Sequence, residues 1–359
     1  MCACVPTYIL HVTHGTYRLA ACSLWIPVEV MTDELSDLKR KITSLQRKVR
    51  HQGTLEELVA QAAQEAVSRH LGPGRPPSRP KASKRRRGSP AAAQIVLTDW
   101  QLGKQTETFN VGACRARVHE AMLKALRVVE DRRTSFRVDH CDLMFLGDMV
   151  EGETIFEGQV WEIEVPVIDQ MLAVADLMKD CIEMALETFK TVRVVCAAGN
   201  HGRPGQKKSA AHPDSNWDLV AYKMAQSMVG KHKGLSWLIH RQTYGVHEFM
   251  GWRVCVTHGD VQRGNPCVNW PKKLAKLQEI VPGGFDVLCH GHTHFPYSIE
   301  ENLCWVIGTG SPESSNKFAA DVLAATAHPS QRIFFMTEKY PVVGNEVLYL
   351  EPRSPRCAR

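Results

Sequence analysis

Hydrophobic residues in this chain follow two regimes. From residue 94 onward, short apolar runs rich in Val, Ile, Leu and Phe alternate with longer stretches of helical periodicity. The runs predict strands at 94–98, 142–147, 192–198, 252–257, 285–290 and 303–307, and two more near 332–336 and 346–350. The periodic stretches predict helices near 114–131, 160–190, 216–229 and 271–280. Residues 243–258 read as a hairpin turning at Gly251. Strand and helix in this order predict an α/β (α+β) domain, with stacked sheets inside and helices outside.

Upstream the pattern changes. Leu35, Leu38, Ile42, Leu45 and Val49 follow a 3-4-3-4 spacing among Lys and Arg, which is a short heptad seam. Gly53 interrupts it, and Thr54-Leu55-Glu56-Glu57 reads as a capping box restarting a helix to about His70. The seam at 35–49 fits a homodimer contact, and it fits equally an amphipathic helix packed on its own domain. Residues 71–93 form a Pro-rich linker that carries Lys81, Lys84, Arg85, Arg86 and Arg87. Residues 1–30 hold three Cys and few charges and read as an extension foreign to the natural chain. The expected layout is thus an extension at 1–30, a helical segment at 31–70, the linker at 71–93 and a catalytic domain at 94–359.

Composition narrows the class. With 44% hydrophobic and 23% charged residues the chain is globular, and no apolar run is long enough to predict a membrane span. Of twelve cysteines, Cys141, Cys196, Cys255, Cys289 and Cys304 fall inside predicted strands, where they act as small buried hydrophobes. That usage predicts a reduced, cytoplasmic protein. The net charge of +6, partly gathered in the linker, predicts an anionic partner. A flexible basic run neutralises nucleic-acid phosphates without reading sequence; the alternative is a solvated linker.

The candidate chemistry sits where strands stop. Five short motifs follow predicted strands in order: Thr98-Asp99-Trp100-Gln101, Leu146-Gly147-Asp148, Ala198-Gly199-Asn200-His201, Val256-Thr257-His258-Gly259 and Cys289-His290-Gly291-His292-Thr293-His294. In open α/β sheets ligands gather at that edge. Asp99 and Asp148 are hard carboxylates, His258, His292 and His294 offer imidazole nitrogens, and Asn200 offers an amide oxygen. Such a mixture suits two divalent cations, which activate water and neutralise phosphate oxygens. His201, beside a ligand, is placed to donate a proton or bind the phosphoryl group. Arg203 suits a phosphate, because its guanidinium pairs two oxygens. Glu151, Lys104 and Asp260 lie beside motif residues, and Trp100, Trp161, Trp217 and Trp270 offer either base stacking or core packing.

On these motifs, residues 94–310 resemble the calcineurin-like metallophosphoesterase superfamily. The form Asp-Trp-Gln-Leu-Gly-Lys with Gly-Asp-Met-Val-Glu-Gly and Gly-Asn-His-Gly-Arg is similar to a phage-encoded branch described alongside SbcD-type DNA repair nucleases. The resemblance implies a metallophosphoesterase-like four-layer α/β/β/α sandwich behind the N-terminal helical segment. It implies two metal ions, manganese foremost, with magnesium, iron or zinc as alternatives. Asp99 and His294 would hold the first ion, Asp148 would bridge, and Asn200, His258 and His292 would hold the second. His201 would be the transition-state histidine. An ATPase partner and a host-cytoplasmic location follow from the same resemblance. One position departs: Gln101 stands where the usual motif has His, which predicts a weaker first site or one preferring an oxygen-loving cation. Three functions remain open: a DNA exo- or endonuclease, a small-molecule or protein phosphoesterase, and a nucleic-acid-binding assembly protein with an impaired metal site.

Overall fold

A computed structural model describes residues 88–206, 212, 214–261, 266–313 and 327–351. The extension, the helical segment with its seam, and Lys81, Lys84, Arg85, Arg86 and Arg87 lie outside the described residues. Within them run eleven strands: β1 (Ser89–Leu97), β2 (Phe136–Phe145), β3 (Thr191–Cys196), β4 (Leu235–Ile239), β5 (Gly245–Phe249), β6 (Trp252–Val256), β7 (Val287–His290), β8 (Tyr297–Glu301), β9 (Cys304–Gly308), β10 (Ser330–Met336) and β11 (Asn345–Tyr349). Four helices accompany them: α1 (Val111–Arg132), α2 (Val167–Thr188), α3 (Trp217–Val229) and α4 (Pro266–Ile280).

Two sheets stack. One has the order β11-β10-β1-β2-β3-β4, the other β5-β6-β7-β9-β8. β1 to β4 are mutually parallel, as are β6, β7 and β9; antiparallel strands close three of the four edges, and the parallel strand β4 forms the other. Three apolar layers hold four layers of structure together. Ile95, Leu97, Leu143, Phe145, Val194 and Phe335 face α1, α2 and α3. Their strand neighbours Val96, Met144, Val195, Phe334 and Met336 point the other way, onto Val254, Val256, Val287 and Cys289 of the second sheet. Trp270, Leu274 and Leu277 of α4 cover the outer face of that sheet against Cys255, Leu288 and Val306. Successive strand residues face opposite sides, so strands covered on both faces read as unbroken apolar runs. Each such large side chain contributes about 1.5–3 kcal/mol on burial. The result is the expected α/β/β/α sandwich.

Several boundaries differ from the sequence expectation, for local reasons. β1 begins at Ser89 and takes in five residues assigned above to the linker, because Ala91, Ala92 and Ala93 are buried. The helix expected from 160 begins at Val167 with Pro166 as its N-cap, while Gln159–Trp161 form a 3-10 turn. The residue before a proline avoids helical geometry, so Pro166 fixes the start. α4 begins at Pro266, ahead of the expected 271, and carries Pro271 inside it. β4 and β8 were not expected; they are edge strands and only partly buried, so their apolar signal is weak. The cysteines at 114, 141, 181, 196, 255, 289 and 304 are free and buried. Burial pushes the Cys289 thiol up, and those of Cys114, Cys255 and Cys304 to about 12. Among the described residues no helix is long and apolar enough to cross a membrane.

Candidate metal centre

All five motifs leave the same edge of the sandwich. Three follow the parallel strands β1, β2 and β3 of one sheet, and two follow β6 and β7 of the other. The chain therefore brings Asp99, Asp148 and Asn200 to face His258, His292 and His294. Asp148, His258 and His292 present ligand atoms within 4.8 Å of one another, the group of this kind found among the described residues. His258 Nε2 lies 2.9 Å from Asp148 Oδ2 and 3.3 Å from His292 Nδ1. His258 Nδ1 is 2.9 Å from the Leu146 carbonyl, to which it donates, leaving Nε2 free to ligate. Asn200 belongs here too, since its Oδ1 is buried without a hydrogen-bond partner. A buried orphan acceptor beside a carboxylate and two imidazoles fits a divalent cation.

The local backbone is bent to make this possible. Asp99, Gln101, Asp148, His292 and His294 have φ of +52°, +42°, +51°, +67° and +58°. The other non-glycine residues with positive φ among the described ones are Met250, Asn302 and Leu303, at the turns of the β5–β6 and β8–β9 hairpins. Hairpin turns require that geometry. The five motif residues have no such excuse, and each carries strain of order 1–3 kcal/mol, as sites of function do. Two glycines are needed for close approach. A Cβ on Gly199 would stand 2.1 Å from Asp148 N and Oδ1, and one on Gly291 would stand 2.2 Å from Asp99 Oδ2.

A shell of hydrogen bonds holds the ligands. Asp218, fully buried at the start of α3, accepts from the backbone N–H of Asp148, Met149, Val150 and Gly199 at 2.9–3.2 Å. The neighbouring Asn216 caps α3 and donates to the Gly199 carbonyl at 2.8 Å. Asp99 accepts from Thr98 Oγ1 at 2.9 Å and from the His292 N–H at 3.0 and 2.9 Å, while Ser311 donates to its carbonyl at 2.7 Å. Neither Asp218 nor Ser311 was foreseen. Each lies outside any strand-end motif, and an Asp or Ser at a helix start or loop reads as ordinary capping.

Electrostatics follow the crowding. Burial disfavours the Asp148 carboxylate, but His258 and His201 outweigh it and hold its pKa well below the carboxylate range. Burial also works against a charged His258, yet Asp148 and Asp99 raise it to about 10. Burial and the charge of His258 together lower His292 to about 4. Burial and Asp148 push Asp218 up to about 6. In His201 burial is again overcome, by Asp148 and Glu151, and the pKa rises to about 9. His201 Nδ1 lies 3.0 Å from the Glu151 carbonyl and 3.3 Å from its carboxylate, so Glu151 is the partner of His201.

The remaining candidates divide. Arg203 lines a cavity of about 280 Å³ that opens beside Asn200 and His258 and is also bounded by Arg241, Gln242 and Asp260. Arg203 Nε is buried without a partner. Trp100 and Trp270 are core residues, Trp100 packing edge-on against Phe145 at 5.6 Å, whereas Trp161 is 88% exposed. His294 Nε2 lies 3.4 Å from Asp99 Oδ1. Gln101 comes to the same place but presents its amide nitrogen, 3.4 Å from His294 Nε2.

No protein-family profile matches the chain, and no curated protein matches it. Among solved structures it is similar to a single mutant of Vps29 from Entamoeba histolytica, at 13% identity over 71% of this chain and 98% of that one, with a TM-score of 0.32. It is similar also to an archaeal phosphodiesterase, at 14% identity over 71% and 99%, TM-score 0.35. A third is wild-type Vps29 complexed with zinc from Entamoeba histolytica, at 16% identity over 58% and 99%, TM-score 0.28. At such identities the chemistry has to be read from the residues of the centre.

Proposed function

We propose that this chain is a metal-dependent phosphodiesterase that hydrolyses nucleic acid, DNA in the first instance, by attack of water on phosphorus. One observation carries the reading: Asp148, His258 and His292 converge within 4.8 Å beside the orphaned Asn200 Oδ1, on strained loops from two sheets. A divalent cation held there, manganese foremost, supplies Lewis acidity and a more acidic water. The chain's own residues do the rest. Asp148 is held ionised and His292 neutral, as ligands must be, while His258, whose pKa Asp148 raises, would give its Nε2 proton up to the incoming cation. His201 is held through Nδ1 by the Glu151 carbonyl, and the Glu151 carboxylate beside it favours its charged form. It thus serves as the group that gives a proton to the leaving oxygen or binds the phosphoryl oxygens.

The substrate class rests on charge. Arg203 and Arg241 both line the cavity beside the centre, which suits the flanking phosphate of a polymer. The basic run from Lys81 to Arg87 supplies a further phosphate-binding segment by sequence. A second reading is a small phosphoester, favoured by the cavity volume of about 280 Å³, near the lower limit for ligand pockets. The experiment is hydrolysis of labelled single- and double-stranded DNA beside bis(p-nitrophenyl) phosphate with Mn²⁺, with His292→Ala as the blank. DNA cleavage lost in the variant supports the nuclease. Cleavage of the small ester alone transfers the assignment to the second reading, and no metal-dependent cleavage of either refutes both.

A further inference from the structure

Gln101, Lys104, His294 and Glu313 form a circuit on the Asp99 side of the centre. Lys104, only 7% exposed, places Nζ 3.4 Å from Gln101 Oε1 and 3.6 Å from Glu313 Oε2. Glu313, 5% exposed, lies 3.7 Å from His294 Nδ1. Gln101 Nε2 then returns to His294 Nε2 at 3.4 Å, which is itself 3.4 Å from Asp99 Oδ1. An ammonium has three donors and no acceptor, so it fixes the amide. Turning Gln101 over would set its NH₂ against the Lys104 ammonium, donor against donor. The carbonyl of Gln101 is thereby committed to Lys104, and what it offers the centre is a donor, which cannot ligate a cation.

The Asp99 side therefore lacks the donor set that a second ion needs. It retains Asp99 Oδ1 and one His294 nitrogen, and the third side chain presents N–H. Its other carboxylate, Glu313, is paired with Lys104 and lies against His294 Nδ1. The Asp148 side, by contrast, has a carboxylate, two imidazoles and the free Asn200 oxygen within reach. We infer that this chain holds a single divalent ion, on Asp148, His258, His292 and Asn200, and that Lys104, by turning the Gln101 amide, keeps a second ion from the Asp99 side. Lys104 acts here as a positioning residue: held by Glu313, it turns the Gln101 amide.

The inference rests on the metal dependence proposed above, and the test separates the two. The full chain is dialysed against Mn²⁺, bound manganese is counted by elemental analysis, and the low-temperature electron paramagnetic resonance spectrum is recorded. One manganese per chain with the spectrum of an isolated ion is the expected result. Two per chain, or an exchange-coupled pair, would overturn the inference and leave the metal-dependent reading standing. No bound manganese would overturn both. The double variant Gln101→His with Lys104→Met restores an imidazole and removes the ammonium that turns the amide, so its manganese content is expected to rise to two with a coupled spectrum. A variant that folds and still holds one ion would refute the role given to Lys104 and Gln101.

Discussion

The two sheets are bridged by two buried clusters of the same residue types, and the contrast between them explains why one is a site and the other a strut. In the first, Asp99 and Asp148 meet His258, His292 and His294 at the strand ends. In the second, Asp142 in the middle of β2 is fully buried, Arg193 on the paired position of β3 grips both its oxygens at 2.9 and 2.7 Å, and His247 of β5 reaches it at 2.9 Å. Arg193 also lies over the Phe249 ring at 4.8 Å. The strut puts a full cation on its carboxylate and is built on regular strands. The centre puts its carboxylates among imidazoles, leaves Asn200 Oδ1 unmatched, and bends five residues into positive φ. A carboxylate matched by a full cation stabilises the fold even with His247 Nδ1 left without a partner, whereas carboxylates set among imidazoles leave a place for a ligand.

Breaking each cluster in turn should separate activity from stability. The largest effect is expected for Asp148→Asn, which keeps the shape but removes the one charged ligand. Manganese-dependent hydrolysis of bis(p-nitrophenyl) phosphate should fall by about 10³-fold or more, while the thermal midpoint holds or rises. A variant with more than a tenth of wild-type activity would remove Asp148 from the centre. Next comes Arg193→Ala in the strut. It leaves Asp142 buried without its cation, so about 3–5 kcal/mol of stability should be lost, lowering Tm by about 10 °C. Activity per folded molecule should stay near wild type. A melt unchanged by this variant would show that Arg193 and Asp142 contribute nothing net.

Asp218→Asn sharpens the contrast from inside the centre. Its two oxygens face four backbone donors, and an amide would turn an NH₂ toward some of them. Metal affinity should weaken by about 10–100-fold, measured by titration with Mn²⁺, and rescue by Asp218→Glu should be poor because the longer arm overshoots. Equal metal affinity in the Asn variant would reduce Asp218 to a helix cap. The smallest effect concerns acid. His240 stacks on His247 with ring centroids 6.4 Å apart; burial, His247 and Arg193 lower its pKa from 6.5 to about 4. The unfolded chain binds that proton first, so stability is full above about pH 6.5 and is lost as pH falls toward 4. With solvent screening allowed for, the loss is about 1 kcal/mol. Urea melts at pH 7 and pH 5 should differ less in His240→Gln than in wild type, and an equal difference would place the acid sensitivity elsewhere.

How far each cluster could be seen in the sequence differs for a physical reason. Candidate ligands are tied to strand ends by short fixed spacings, so Asp99, Asp148, Asn200, His258, His292 and His294 were all legible in the sequence. Asp142, Arg193 and His247 sit inside strands and carry no spacing, because cross-strand partners are set by register and sheet order. Gln101 was legible as a departure from a pattern, yet its consequence was not, since the amide is turned by a lysine and a glutamate more than two hundred positions apart in the chain. Asp218 was missed because four backbone N–H groups converging on one carboxylate leave no trace in the order of side chains.

Alternation of apolar runs with helical periodicity, and polar residues where those runs end, was sufficient to determine the layered α/β class and to mark the candidate metal-ligating residues. These are local properties: strand burial and loop chemistry are written in consecutive residues. Tertiary structure alone decided which sheet supplies which ligand, the strain of five backbone positions, the direction of the Gln101 amide and the closure of the Asp142 strut. Each of those depends on groups far apart in the chain meeting at hydrogen-bond distance, and that meeting is fixed by sheet order and packing.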